Sequence, residues 1–428
     1  MTDAGLHLRE CIDRTTALPE DARIALLARR DDEALADADA DAAPTGPLAG
    51  RVLTVKACFD VSGWVTHAGS RVLADDAPAA VDAPIVAALR GAGAVLLAQT
   101  NMTEFAYGAL GLNDTFGSPT TPLMPGGEHV SGGSTSGGAV SVALGFADIA
   151  LGSDTSGSIR IPAAFCGVAG FKPTQGRYPA EGMLNLARTF DTPGVIASSA
   201  AACRDVDAAL TKREPRDIAL RGTHFAVPRI VATEDIDPSI RAAFSEWLDA
   251  LRAAGAVITE VELADIDQAA SATRDGSIIA VEAYVLHRTR LATDAARYDP
   301  RVGPRILAGA DVPAHVYAAA LQRIAECKAR HDEAMREFDA MLMPTTPGQP
   351  PAIRDLGDNA AYLAANSHSF RFTEIANRLE LPSLSLPGDL ARRRPYGLMI
   401  TGRRGDDEHV LDLAVAVERA LNRSAQVP

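Results

Sequence analysis

Lysine is nearly missing from this chain. Of its 41 basic residues only four are lysines, Lys56, Lys172, Lys212 and Lys328, and arginine supplies the rest. Long apolar runs are missing too. None reaches the roughly 18–20 residues that a membrane helix requires, so no membrane partner is expected. The opening MTDAGLHLRECIDRTT mixes both charge signs without an apolar core, unlike a signal peptide, and a cytoplasmic location is expected. Cysteine is scarce. Cys11, Cys58, Cys166, Cys203 and Cys327 are odd in number, scattered and without a CxxC spacing, which fits neither a disulfide framework nor a zinc site. A basic excess is absent as well: the formal net charge of −14 argues against a nucleic-acid partner, because phosphate neutralisation needs clustered Lys and Arg.

Several chemical signatures are also absent. There is no GxxxxGK[ST] phosphate loop, no GxGxxG after a strand, no HExxH, no GxSxG and no SxxK. The nine histidines never pair at metal-ligand spacing. A Ser–His–Asp triad stays open in principle, since its members can lie far apart, but no histidine has a diagnostic neighbourhood. Neither a metal nor a cofactor is expected.

What is there reads as alternating helices and strands. The first 47 residues look helical and peripheral, with DARIALLARRDDEALADADADAA (21–43) ending at PTGPLAG. A strand is expected over 51–56, a helix from near Asp82 and a strand over 94–100. A helix follows over 137–147 and a strand over 148–152. After a helix near 202–214 come a strand over 224–232, a further helix and strand, and a mostly helical stretch from about 265 to 340. A strand at 340 runs into prolines, and a last helix, strand and helix close the chain at LNRSAQVP. This alternation with short connections argues an α/β fold around a largely buried sheet. No linker divides the chain, so one domain is expected over 1–428: a helical segment (1–47), a catalytic core (51–210) and a remainder (211–428).

Two small, hydroxyl-rich glycine loops stand out, SGGSTSGG (131–138) and SDTSGS (153–158), together with Lys56 inside the apolar run RVLTVKACFDV. An ammonium is expensive to bury there. A serine hydroxyl is a weak nucleophile until a base takes its proton, and lysine is such a base only when neutral. From a reference pKa near 10.4, neutrality at pH 7 costs about 4.6 kcal/mol, much of which burial supplies by penalising the charged form.

The stretches TVKACFDVSG (54–63), SGGSTSGGAVSVALG (131–145) and LGSDTSGSIRIPAAFCGVAGFKPT (151–174) resemble the amidase signature family. The likeness continues through TNMTEFAYGALGLN, FDTPGVIA, LMPTTP and RPYGLMITGRRGDDEHVLDLA, covering nearly all the chain after about residue 20. It implies a single large α/β domain with a mixed, mostly parallel sheet flanked by helices. It implies a Ser–Ser–Lys triad: Ser158 as nucleophile, Ser134 beside a cis peptide as the proton relay, and Lys56 as base. The backbone amides of Thr155, Ser156, Gly157 and Ser158 are expected to form the oxyanion hole. Ala106 and Tyr107 are expected against the substrate, with Ser134, His67 and Arg160 as further candidate contacts. For Arg160 a structural ion pair is expected ahead of substrate contact, and Asp154 is expected to anchor the loop.

The chain departs from the family pattern at Ala57, where an acid is usual, and at Ser156, where Gly is common. The implied activity is hydrolysis of a small amide to a carboxylate plus ammonia or amine. The alternatives are one component of an amidotransferase that modifies charged tRNA with a partner and ATP, a carbamate or ester hydrolase, and a non-catalytic binding protein. A homodimer is left open.

Overall fold

Apolar segments separated by amphipathic helices are buried most directly side by side in a sheet with helices on its faces. The computed structural model describes residues 3–18, 20–39, 45–124, 128–388 and 394–424. Its sheet has eleven strands: β1 (Leu26–Arg29), β2 (Val52–Lys56), β3 (Val95–Thr100), β4 (Ile149–Asp154), β5 (Ala169–Lys172), β6 (Thr192–Ala197), β7 (His224–Pro228), β8 (Val257–Val261), β9 (Ala340–Pro344), β10 (Ser383–Pro387) and β11 (Gly397–Thr401). Their order is β1-β3-β2-β4-β6-β5-β10-β11-β9-β7-β8, so one sheet runs through the whole chain. Every residue of β2, β3 and β9 is buried, which is why VLLAQT and AMLMP lack the alternation of a half-exposed strand.

The sheet is mixed but not mostly parallel. β2 runs parallel to β3 and β4, and β7 to β8 and β9, whereas β1/β3, β4/β6, β5/β6, β5/β10, β10/β11 and β9/β11 are antiparallel. The cause lies at the centre. β4, the helix Arg160–Cys166 and β5 form a crossover whose strands share one direction, as helix–strand alternation leads one to expect. β6 then inserts between them, antiparallel to both.

The expected N-terminal helix also breaks. Asp3–Ala17 and Asp31–Asp39 are α-helical and Glu20–Ala25 is a 3-10 helix, but Leu26–Arg29 between them pairs with β3 as an edge strand; positions 40–43 lie outside the described residues. Tertiary pairing overrides helix propensity here: the Asn101 amide donates to the Ala25 carbonyl at 2.9 Å. The strand expected over 224–232 stops at Pro228, and Ile230–Thr233 makes a short helix. The C-terminal part holds two strands, β10 and β11, before the helix Asp407–Ser424, and the final residues 425–428 of LNRSAQVP lie outside the described residues.

Between β8 and β9 four α-helices, Ala264–Asp275, Ile278–Asp294, Gly303–Leu307 and Ala314–Ala334, pack on one another. The five cysteines are free and buried. Among the described residues no helix is long and apolar enough to cross a membrane.

Candidate active site

Lys56 is the last residue of β2, flanked by β3 and β4, and is fully buried. Its Nζ lies 2.8 Å from Ser134 Oγ, 2.8 Å from Ser153 Oγ and 3.4 Å from the Ser153 carbonyl. Burial pushes its pKa below the ordinary lysine value, against the opposing pull of Cys58, Asp154 and Asp191. Lys172 is buried too, and burial lowers it to about 7. Its Nζ donates to the Pro173 carbonyl at 2.6 Å, so it meets backbone where Lys56 meets hydroxyls.

The two glycine loops meet in front of Lys56. The Gly133–Ser134 peptide is cis. The Gly133 amide donates to Ala109 O at 2.6 Å, and Ser134 O accepts from the Thr103 amide at 3.2 Å. The Thr135 amide then donates to Ser158 O at 3.1 Å, joining the loops directly. Ser158 follows β4 and immediately precedes the turn into Arg160–Cys166. Its hydroxyl makes no hydrogen bond with a described residue, and the residue lines a cavity of about 390 Å³.

Buried charge holds the Ser158 loop in shape. Asp154 accepts from the Gly157 amide at 2.7 Å and the Ile159 amide at 3.1 Å. Arg160 donates to the same carboxylate through Nε at 3.1 Å and Nη2 at 3.0 Å, and neither side chain is exposed. Burial works against the Asp154 carboxylate, but Arg160 and the hydrogen bonds outweigh it and hold its pKa at about 2. Asn377 Nδ2 donates to Asp154 O at 3.0 Å, Thr373 Oγ1 to Ser156 O at 2.6 Å, and Arg378 to Thr155 O at 3.2 Å and Ser156 Oγ at 3.1 Å. Thr155 Oγ1 donates to Asp191 at 2.6 Å. Burial pushes that carboxyl up to about 7, against hydrogen bonds from Thr155 and the Ala187 and Leu186 amides.

The cavity receives most, but not all, of the residues expected there. Ala106, Tyr107, Thr155, Ser156 and Ser158 line it. The turn that brings Ala106 in is held at positive φ, 50° at Phe105 and 59° at Ala106, a backbone state uncommon for non-glycine residues. Gly157 departs from expectation: its amide is taken by Asp154. Arg160 is off the cavity wall. It is buried behind the loop, where Nη2 also donates to Asn377 Oδ1 at 2.6 Å, so the ion pair prevails over substrate contact. His67 is off the cavity wall, its ring 4.8 Å from that of Phe116 and its Nδ1 accepting from the Gly69 amide at 3.1 Å. Ser134 is fully buried and not on the wall. Ser136 opens the helix Ser136–Ala143, with its hydroxyl toward the Asn101 carbonyl at 3.4 Å.

Sequence reasoning missed Ser153, although it belongs to SDTSGS and a strand residue beside Lys56 was a readable neighbour. It also missed Thr373, Asn377 and Arg378, which reach the loop from more than 200 positions away and carry no local signal.

The chain matches the Amidase family along residues 7–411. It is 32% identical to 2-amino-5-chloromuconic acid deaminase of Comamonas testosteroni over 88% of this chain and 83% of that one. It is also 32% identical to a glutamyl-tRNA(Gln) amidotransferase component of Deinococcus radiodurans, over 88% and 85%. A crystal structure of an amidase superposes with a TM-score of 0.88 at 31% identity, over 98% of this chain and 96% of that one. With the match spanning almost the whole sequence, the chain belongs to the amidase signature family and is an amidase, a hydrolase of linear C–N bonds.

Proposed function

We propose that Ser158 is the nucleophile of a serine amidohydrolase in which Lys56 and Ser134 relay its proton. The observation that carries this reading is the buried Lys56 Nζ, 2.8 Å from Ser134 Oγ, on a loop whose Thr135 amide bonds to the carbonyl of Ser158, a serine that lines a cavity. Neutral Lys56 takes the Ser134 proton as Ser134 takes that of Ser158, and Ser158 Oγ bonds to the amide carbonyl carbon. The hydroxyls of Ser134 and Ser158 close to hydrogen-bond distance as substrate binds, a tightening common between free and occupied sites. Negative charge gathers on the carbonyl oxygen, beside the amides of Thr155, Ser156 and Ser158, where preorganised donors act best in a water-poor site. The C–N bond then breaks and the relay returns the proton to the leaving nitrogen. This leaves an ester on Ser158 and ammonia or amine as product. Water, deprotonated through the same relay, attacks that ester; the carboxylate departs and Ser158 regains its proton.

A second reading, an amidotransferase component, is favoured by the relative in Deinococcus radiodurans. The two separate on ammonia release from a panel of small amides by the purified chain alone, without ATP, tRNA or partner. Release that disappears in Ser158→Ala supports the hydrolase. A folded chain that releases none contradicts it.

A further inference from the structure

We propose that the amide substrate carries a carboxylate, read by Arg274 and Arg305 on the wall of the cavity over Ser158. This rests on the amide-hydrolase reading of that cavity and adds the chemistry of its substrate.

The chain is acidic, with a net charge of −14, yet the cavity wall is cationic. Its charged side chains are Arg274, Arg305, Arg371 and Arg378 against the single acid Glu374. Two of the four arginines are already engaged with acids. Arg371 pairs with Glu234 at 2.8 Å and Asp267 at 3.1 Å. Arg378 pairs with Glu374 at 3.2 Å and braces the loop through Thr155 O and Ser156 Oγ. The other two have only neutral partners among the described residues. Arg305 Nη1 donates to the Tyr107 carbonyl at 2.9 Å, its guanidinium carbon stands 3.9 Å from the Tyr107 ring centroid, and the Tyr362 hydroxyl is a further partner. Arg274 Nη2 donates to Ser271 Oγ at 3.2 Å.

An arginine fixed over an aromatic ring, with its charge uncompensated, is prepared for a carboxylate, whose two oxygens match the planar guanidinium fork. A concave wall of one sign also concentrates oppositely charged ligands. Further polar capacity points the same way: Arg378, only 3% exposed, keeps its Nε buried without a partner. Tyr107, which lines the cavity beside Ala106, thereby acquires a role beyond packing, because it sets the plane and position of Arg305.

The test compares ω-carbamoyl carboxylates from malonamate to adipamate with amides in which an isopropyl group replaces the carboxylate. The expected result is a kcat/KM ratio of about tenfold or more in favour of the best carboxylate, the scale of one charge-assisted hydrogen bond. Arg305→Met and Arg274→Met should each reduce that ratio, with Tm checking that the variants fold. A ratio near one, or a ratio that neither variant changes, overturns the proposal. If wild type hydrolyses neither set, the hydrolytic reading fails, and calorimetry on Ser158→Ala with glutaramate and its isopropyl isostere decides this one. Tighter glutaramate binding upholds the anion site, whereas equal or absent binding removes it.

Discussion

Two buried lysines show how much a side chain's neighbours decide. Both Lys56 and Lys172 are lowered by burial, but only Lys56 has serine hydroxyls within reach. In the proposed relay its neutral form is the working one, so kcat/KM should rise with pH through a pKa below the ordinary lysine value. Lys56→Met should cut kcat by about 10²–10⁴-fold, the usual contribution of general base catalysis, and abolish that acidic limb; an unchanged limb assigns it elsewhere. Ser153 positions the amine and supplies an acceptor that favours its charged form. In Ser153→Ala the limb should therefore move to lower pH, with kcat down by about tenfold for one lost hydrogen bond. A pH–rate profile of the two variants reads both effects. At this scale the sequence was informative, because a lysine in an apolar strand and two hydroxyl-rich loops carry their chemistry in residue type and spacing. What it hid was which amide the anchor takes: Asp154 was expected to hold the loop and Arg160 to form an ion pair, but nothing in SDTSGS indicates that the Gly157 amide, expected in the oxyanion hole, is turned to Asp154.

Among the elements, two short turns govern the cavity. Gly157 sits at φ 138°, and a Cβ there would fall 2.2 Å from Thr373 Oγ1 and 2.6 Å from Thr373 Cβ. Gly157→Ala should displace the Ser158 loop, costing about 1–3 kcal/mol of backbone strain and more in kcat than in KM. Steady-state kinetics with a Tm measurement separate the two. The turn Glu104–Ala106 is pinned by Glu104, whose carboxyl accepts from Ser70 Oγ at 2.6 Å and the Asp299 amide at 2.7 Å. Burial, opposed by those hydrogen bonds, raises Glu104 from 4.5 to about 7. A carboxyl whose folded pKa is raised holds more protons in the native state between those values, so its contribution to stability is greatest below pH 4.5 and falls as pH rises through about 7. Glu104→Gln should flatten that fall in denaturant titrations at about pH 5 and about pH 8, either side of the raised value; an equal slope in the variant would show that another group causes it. Apolar runs bounded by glycine and turn residues were legible, including β2, β3 and the helix Ser136–Ala143. β1 was not, because LLAR lies in a sequence that favours helix and becomes a strand only by pairing with β3.

Across the whole molecule, the Ser158 loop is held by residues distant in sequence. Arg160 ties Asp154 to Asn377 and approaches Ser383 on β10 and Met399 on β11. Arg160→Met leaves Asp154 charged and buried, and should destabilise the fold by about 3–5 kcal/mol, read as a lower urea midpoint. A midpoint close to wild type would mean that Asn377 and the loop amides alone satisfy Asp154. Such ties are what a sequence conceals: Thr373, Asn377 and Arg378 become neighbours of Ser158 only once β10 has paired with β5. The position of β6 between β4 and β5 is equally nonlocal, and it is why a chain of alternating helices and strands has a sheet with mostly antiparallel pairings. The one measurement that tests the central claim most directly is intact mass and peptide mapping after treatment with a fluorophosphonate, on wild type, Ser158→Ala and Lys56→Ala. The expected result is a single adduct on Ser158 in wild type and none in either variant. A folded wild type that stays unlabelled, or an adduct on another serine, would contradict it.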